Sequence, residues 1–148
     1  MQLSFLGAAR QVTGSMFLLQ LEDGYQILID CGTDMERKLD FDEPLEQKSF
    51  FPFDASLINL VILTHAHIDH SGLIPRLVQQ GFSGKIYCTP ATKELAMILL
   101  EDSAIIQKDD TRYLNKRRER QGLPSVNPLY TVDDVKACID LFETINYN

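Results

Sequence analysis

The sequence is poor in cysteine and histidine and has no long apolar run. Its three cysteines, Cys31, Cys88 and Cys138, are odd in number, lie far apart and show no CxxC spacing. This pattern disfavours a disulfide framework and indicates a reducing compartment, which we expect to be the cytoplasm. No stretch approaches the ~18 consecutive apolar residues of a membrane helix, and the first residues lack the basic and apolar pattern of a signal peptide. The sequence therefore predicts no membrane partner.

Positive charge is also in short supply. Lysine and arginine number 14 against 21 acidic residues, which gives a formal net charge of −7. A protein of this charge repels nucleic-acid phosphate at long range, so composition alone argues mildly against a nucleic-acid partner. Hydrophobic residues make up 45% of the 148 positions and charged residues 24%. These values are typical of one globular domain with a core of its own.

All three histidines of the chain fall within six residues, HAHIDH at 65–70. His65 and His67 alternate by two, so in an extended segment they project to the same side. Asp69 and His70 follow where the chain turns into the next helix. Imidazole and carboxylate are ligands that suit Zn²⁺, Mn²⁺ or iron. A lone histidine is more often structural or solvated, but the density of this cluster predicts a metal site formed by these four residues.

Apolar runs bounded by turn signals predict five strands before residue 90. Asp23-Gly24 between two such runs indicates a hairpin. LVILT at 60–64 is a continuous run of branched residues and predicts a strand buried on both faces. The polar, acidic segment 33–59 predicts a long loop, with a helical turn around Pro44–Lys48. The predicted strands are 2–6, 15–21, 25–32, 60–64 and 85–89.

Helical spacing predicts three helices in the second half of the chain. The first covers 73–81, with Gly81 at its C-terminal end. A second begins at Thr89-Pro90 and runs toward Arg120. A third begins at a capping box formed by Thr131 and Asp134. The apolar residues assigned to the second helix are Leu95, Leu99, Leu100 and Ile106, and those assigned to the third are Val135, Cys138, Ile139 and Phe142.

This order of elements predicts the α/β fold class. The histidine cluster follows a buried strand directly, and α/β sheets bind ligands at such carboxyl ends of strands.

Three motifs resemble those of a known family. LTHAHIDHSG (63–72) resembles the signature of the metallo-β-lactamase fold, while FLGAARQVTGS (5–15) and ILIDCG (27–32) resemble the opening motifs of the β-CASP RNA-processing nucleases. VTGS is similar to the cleavage-and-polyadenylation nuclease type and its prokaryotic relatives. The likeness continues through GKIYCTPAT (84–92). It implies the N-terminal half of an αββα sandwich, a mixed sheet with flanking helices, and a zinc-dependent hydrolase that cleaves phosphodiester bonds of RNA.

The resemblance also implies roles for individual residues. His65 and His67 would bind one zinc ion and Asp69 and His70 a second, so that all four belong to the catalytic centre. Asp30 would lie behind this loop and orient it through hydrogen bonds; the alternative is an ordinary turn residue at a strand end.

Two further groups of residues remain open between a functional and a structural role. Thr13, Gly14 and Ser15 are candidates to bind a substrate phosphate, although plain turn chemistry explains them equally well. The basic run at 108–120 could contact an RNA backbone, but a solvated helix face is the favoured interpretation.

The metal ligands found here are fewer than the family requires. No histidine occurs between residues 71 and 148, whereas the family adds later ligands and a separate β-CASP domain. We therefore expect residues 1–148 to be the N-terminal part of a longer protein that also contains the second half of this domain and the β-CASP domain. On its own the chain should be metal-poor and catalytically silent, and it should self-associate through an exposed sheet face.

Two other functions stay open at this stage. A thioester or lactam hydrolase of the same fold is one, and a scaffold that has lost catalysis is the other. The sequence does not distinguish endonuclease from exonuclease, or RNA from DNA.

Overall fold

A single mixed sheet forms the centre of the molecule. The computed structural model describes residues 1–9, 12–34 and 50–146. The strands in these ranges are β1 (Gln2–Gly7), β2 (Met16–Gln20), β3 (Gln26–Ile29), β4 (Leu60–Ile62), β5 (Lys85–Cys88) and β6 (Phe142–Thr144). They lie side by side in chain order. β1, β2 and β3 pair antiparallel, and β3 through β6 pair parallel. The prediction of a mixed α/β sheet is confirmed.

The described residues form four α-helices, and the last two begin at the caps that the sequence predicts. They are α1 (Ile68–Ser71), α2 (Ile74–Gln79), α3 (Pro90–Arg120) and α4 (Val132–Cys138), with short 3₁₀ helices at Ala55–Leu57 and Ile139–Leu141. The hydroxyl of Thr89 accepts from the backbone N–H of Thr92 (3.3 Å) at the start of α3. At the start of α4, the backbone N–H of Thr131 donates to the Asp134 carboxylate (2.7 Å), and the Thr131 hydroxyl accepts in return. Both predicted caps are confirmed.

The hydrophobic core lies between one face of the sheet and the helices. Leu28, Val61 and Ile86 occupy matching positions on three neighbouring strands, and all three are fully buried. Ile74 and Leu77 of α2 are equally buried in the same cluster. Each such side chain contributes about 1.5–3 kcal/mol by leaving water. This packing holds β4 in place, and the histidine segment begins shortly after that strand.

The opposite face of the sheet is apolar and partly exposed. In β4 the burial alternates, and the expectation that this strand is buried on both faces is wrong for Ile62, which is 40% exposed. Ile62 lies in register with Ile29 and Tyr87, and Phe5 at the far edge is 64% exposed. Among the described residues, the four helices all lie on the other side of the sheet. We call this surface the open sheet face; its members are Leu3, Phe5, Phe17, Leu19, Ile27, Ile29, Leu60, Ile62 and Tyr87.

Three details of the second half differ from the sequence-based expectations. α4 ends at Cys138, and Phe142 lies in β6 opposite Ile86 rather than on the last helix. In α3 the side chains of Leu95 and Ile106 are about half exposed, and the buried positions are Ala96, Leu100, Ala104, Thr111 and Arg118. The predicted helical turn around Pro44–Lys48 falls outside the described residues.

In the described ranges, no helix has the length and hydrophobicity needed to span a membrane.

Candidate metal centre

The histidine segment forms the turn between β4 and α1. The backbone N–H groups of His70 and Ser71 both donate to the carbonyl of His67 at 2.9 Å. His67 is therefore the N-cap of the short helix α1. The hydroxyl of Ser71, which is fully buried, donates to the carbonyls of Ala66 (2.9 Å) and His67 (3.0 Å). These bonds hold the turn in one conformation, so the positions of its side chains are set by the backbone.

The three imidazole rings lie close together. The ring centroids of His65 and His67 are 4.9 Å apart, and those of His65 and His70 are 4.0 Å apart. The carboxylate of Asp69 lies 3.5 Å from Nε2 of His70. Within the described ranges, however, no three or more histidine, cysteine or acidic side chains are arranged so that together they could hold a metal ion. The donor chemistry fits a metal such as zinc, and the arrangement is that of a partial ligand set.

Asp30 lies beneath this segment and is hydrogen-bonded to His70 and to Thr64, the residue directly before the segment. It is 2% exposed and has a positive φ of 58°, a conformation that aspartate tolerates better than most residues. The backbone N–H of Thr64 donates to Asp30 Oδ1 (2.8 Å), and the Thr64 hydroxyl donates to Oδ2 (2.8 Å). Nδ1 of His70 lies 2.7 Å from Oδ2. Because a carboxylate only accepts, Nδ1 carries the proton in a neutral ring, and Nε2 keeps the lone pair that a metal would use.

The backbone after Asp30 runs directly along α1. The N–H of Cys31 donates to the carbonyl of His70 (2.7 Å), and the N–H of Thr33 donates to the carbonyl of Ile68 (3.0 Å). Between them, a Cβ added to Gly32 would lie 1.7 Å from the carbonyl oxygen of Asp69. Only glycine fits here, which gives a physical reason for the IDCG pattern.

The VTGS stretch reaches the same turn from the other side. The backbone N–H of Ser15 donates to the carbonyl of Asp69 (2.8 Å), and its carbonyl accepts from the N–H of Gly32 (3.0 Å). The Thr13 hydroxyl donates to Asp34 (3.3 Å), and Gly14 has φ +83°. The amide of Ser15 is thus engaged by the loop itself. Phosphate binding by Thr13, Gly14 and Ser15 stays a prediction.

The three cysteine thiols are buried, and burial raises the pKa of each. Burial, and then the neighbouring Asp30 charge, raise the pKa of the Cys31 thiol well above its usual value. Burial raises the pKa of Cys138 to about 12 and also raises the pKa of Cys88. The side chains that the histidine turn itself presents as donors carry imidazole nitrogen and carboxylate oxygen. All three cysteines are free and buried.

Sequence reasoning missed two residues of this site. Thr64 bonds to both oxygens of Asp30, and Ser71 closes the turn. A signal was present for each, since a hydroxyl residue directly before or after the HxHxDH segment can bond to its backbone or to a neighbouring carboxylate.

The fold and the site define an α/β domain with a histidine-rich candidate metal centre at the carboxyl end of its parallel strands. The chain belongs to the metallo-beta-lactamase superfamily, because the model of that family matches residues 9–144. This match confirms the superfamily and the fold class expected from the motifs. Membership of this superfamily also implies metal binding.

Two relatives match over much of the chain. Transcription termination factor FttA of Methanocaldococcus jannaschii is 35% identical over 99% of this chain, which covers 20% of that protein. Ribonuclease TTHA0252 of Thermus thermophilus is 37% identical over 83% of this chain, which covers 27% of that enzyme. The chain thus spans only a minor part of the length of either relative.

Solved structures also align with this chain. A subclass B3 metallo-beta-lactamase from a soil metagenome library superposes on 97% of this chain and 43% of its own, with a TM-score of 0.46 and 16% sequence identity. No residue role is transferred from a superposition at this level.

Proposed function

We propose that this chain carries the metal-binding turn of a zinc-dependent RNA phosphodiesterase of the β-CASP type. The observation that supports the proposal best is the junction of three motifs. VTGS, IDCG and HxHxDH are joined by the backbone bonds from Ser15 to Asp69, from Gly32 to Ser15 and from Cys31 to His70. These are the motifs in which the resemblance to RNA-processing nucleases resides.

In this proposal His65 and His67 bind one zinc ion, and Asp69 and His70 bind a second. Bound metal would supply activation of water and neutralisation of the charge that develops on the phosphoryl oxygens. Asp30 and Thr64 act on the donors rather than on the substrate. Asp30 holds His70 in the tautomer that leaves Nε2 free for metal. Thr64 holds the carboxylate of Asp30 in place through two hydrogen bonds.

RNA is the substrate that the sequence relatives favour. One of them is named a ribonuclease and another a transcription termination factor. A thioester or lactam hydrolase of the same fold, or a non-catalytic scaffold, would share the histidine turn, but neither of the two sequence relatives is named as a thioester or lactam hydrolase. Both endonucleolytic and exonucleolytic cleavage are compatible with the site. The proposed compartment is the cytoplasm, where buried, reduced cysteines are expected.

The ligand set and the coverage of the relatives support a further part of the proposal. Residues 1–148 would be the N-terminal part of a metallo-β-lactamase-like domain, completed by its second half and by a β-CASP domain. The 148-residue chain alone would then bind metal weakly and would not cleave RNA, because each metal would have only about half of a four-ligand shell.

The 148-residue chain on its own should also self-associate, with a second copy packed against the open sheet face. The same apolar surface on two copies is self-complementary about a two-fold axis, and sheets pack face to face about 10 Å apart. Five strand spacings of about 4.8 Å, by about four residues of 3.4 Å, give a footprint of roughly 300 Å² per copy. A standard interface buries about 800 Å² per partner, so the expected dimer is weak and depends on concentration.

The test uses the full-length protein that contains this segment. His65→Ala and His67→Ala should each lower the zinc content and abolish RNA cleavage, while the far-ultraviolet circular dichroism stays unchanged. Asp140→Ala, an exposed change outside the site, is the control and should behave as wild type. Near-wild-type cleavage with unchanged zinc content in both histidine variants would refute the ligand assignment. Thioester hydrolysis without RNA cleavage would refute the substrate.

A further inference from the structure

A second polar site lies away from the histidine turn, along the C-terminal half of α3. A cleft of about 680 Å³ separates this half of the helix from the segment 123–128 that follows it. Three cationic side chains line the cleft at intervals of four residues, namely Lys108, Arg112 and Lys116. Residues four apart lie on one face of a helix, so the three charges form a row about 12 Å long.

The charges of this row are not neutralised within the described chain. Lys108, Arg112 and Lys116 are exposed, and in residues 1–9, 12–34 and 50–146 none of them forms an ion pair. One acidic residue, Glu119, also lines the cleft. The lining therefore has a net positive charge on a protein whose formal net charge is −7.

The walls of the cleft are fixed by hydrogen bonds. Asn115 donates from Nδ2 to the carbonyl of Val126 (2.8 Å) and accepts from the backbone N–H of the same residue (2.9 Å). Arg118, which is 7% exposed, donates from Nε to the carbonyl of Pro124 (2.8 Å). These contacts attach the segment 123–128 to α3, so the cleft exists before any ligand arrives and binding would require little ordering.

We propose that this cleft binds the phosphate backbone of an RNA strand, outside the catalytic centre. A small anion needs donors that converge on one point, whereas these three cations are spread along a line, which suits a linear polyanion. Arginine and lysine contact phosphate oxygens without reading base sequence. The inference rests on the proposed function for its choice of RNA. It reverses the sequence-based preference for a solvated helix face at 108–120.

The test measures binding without catalysis. A fluorescein-labelled 12-nucleotide single-stranded RNA is titrated with the 148-residue chain, and fluorescence anisotropy is followed from 50 to 200 mM salt. The variant Lys108→Gln/Arg112→Gln/Lys116→Gln should bind at least tenfold more weakly at 50 mM salt. Its slope of log K against log salt should be flatter by about 2, since each phosphate contact on a single strand contributes about 0.7.

A matched control removes the same charge elsewhere. Arg117→Gln/Arg120→Gln/Lys136→Gln also lowers the net charge by three, but these exposed residues do not line the cleft. Its binding should stay within about threefold of wild type. Equal losses in both triple variants would show a general charge effect and overturn the proposal, as would no loss in the cleft variant. Unfolding curves of both variants establish that they fold, and Lys116→Gln alone should flatten the slope by about 0.7.

The two proposals fail separately. If the full-length protein does not cleave RNA while binding by the chain still depends on the cleft, the proposed catalytic function fails and the cleft stands. If cleavage requires the histidines while the cleft variant binds RNA as wild type does, the cleft proposal fails alone.

Discussion

Replacing Asp30 with asparagine isolates the charge of the buried carboxylate from its shape. Asparagine has almost the same size and also tolerates the positive φ of 58° at this position. Its oxygen can still accept from the backbone N–H of Thr64. Its amide nitrogen would then face Nδ1 of His70, which in the wild type lies 2.7 Å from a carboxylate oxygen. Two donors cannot face each other, so the ring must place its proton on Nε2 instead.

The size of the effect follows from these contacts. A hydrogen bond to a charged group contributes about 1.5–3 kcal/mol, against about 1 kcal/mol for a neutral one. Asp30→Asn should therefore destabilise the fold by about 1–3 kcal/mol. In the altered tautomer Nε2 has no lone pair for metal, and we expect zinc affinity to fall by about 10–100-fold, the usual range for a residue that orients a ligand.

Two measurements check this prediction. Zinc affinity of the full-length protein is measured by competition with a chromophoric chelator, and the His70 tautomer is measured in the 148-residue chain by ¹⁵N nuclear magnetic resonance of its ring. Asp23→Asn is the control, since Asp23 is an exposed turn residue whose carboxylate accepts from the nearby N–H of Tyr25. If Asp30→Asn changes neither the zinc affinity nor the tautomer, Asp30 is a turn residue and the orienting role is wrong.

Three other substitutions test the local architecture. Gly32→Ala should shift the histidine turn, because the new Cβ would lie 1.7 Å from the Asp69 carbonyl oxygen, and should cost more than about 1 kcal/mol in urea unfolding. Partial burial acts to raise the pKa of Asp134, but the hydrogen bonds that it accepts at the start of α4 hold that pKa below its usual range. Its stabilisation is thus present above about pH 4 and lost as the pH falls through the lowered value, so Asp134→Asn should flatten the acid limb of stability by about 1 kcal/mol. Ile62→Lys should convert the self-associated chain to monomer in sedimentation, whereas Leu57→Lys, at a residue that is also exposed but lies off the sheet, should not.

Each of these three has an outcome that would count against it. Unchanged unfolding and unchanged chemical shifts in the Gly32 variant would mean that the turn has room for a side chain. Parallel pH curves for wild type and the Asp134 variant would remove the carboxylate from the acid limb. A wild-type chain that is monomeric at all concentrations would refute self-association through the open sheet face.

The helices and strands follow closely from local signals in the sequence. Which of their apolar faces are buried by another layer does not. The caps at Thr89 and Thr131 mark the starts of α3 and α4 because hydroxyl and carboxylate bonds to the first turn are local interactions. The exposure of Ile62 and Leu95 is not local. Periodicity identifies apolar positions, but it does not say whether another layer packs on them. Phe142 illustrates the same point, since an apolar residue four after Cys138 fits a helix as well as a strand, and pairing with Ile86 decides between them.

The ligand types of the site were readable from the sequence, whereas the reason for its geometry was not. HAHIDH indicates imidazole and carboxylate donors by residue type alone. The roles of Gly32, Ser15 and Thr64 depend on contacts between segments that lie 17 or more positions from one another. No pattern within one segment reports that a carbonyl of another segment lies against its glycine.

The backbone bonds make the three motifs one mechanical unit. Asp69 is held through its carbonyl by Ser15, and His70 is held through its carbonyl by Cys31 and through its ring by Asp30. The side chains proposed to bind the second metal are therefore positioned in part by residues outside the HxHxDH segment. A substitution in VTGS or IDCG should then disturb Asp69 and His70 more than His65 and His67, so that the second metal is lost before the first.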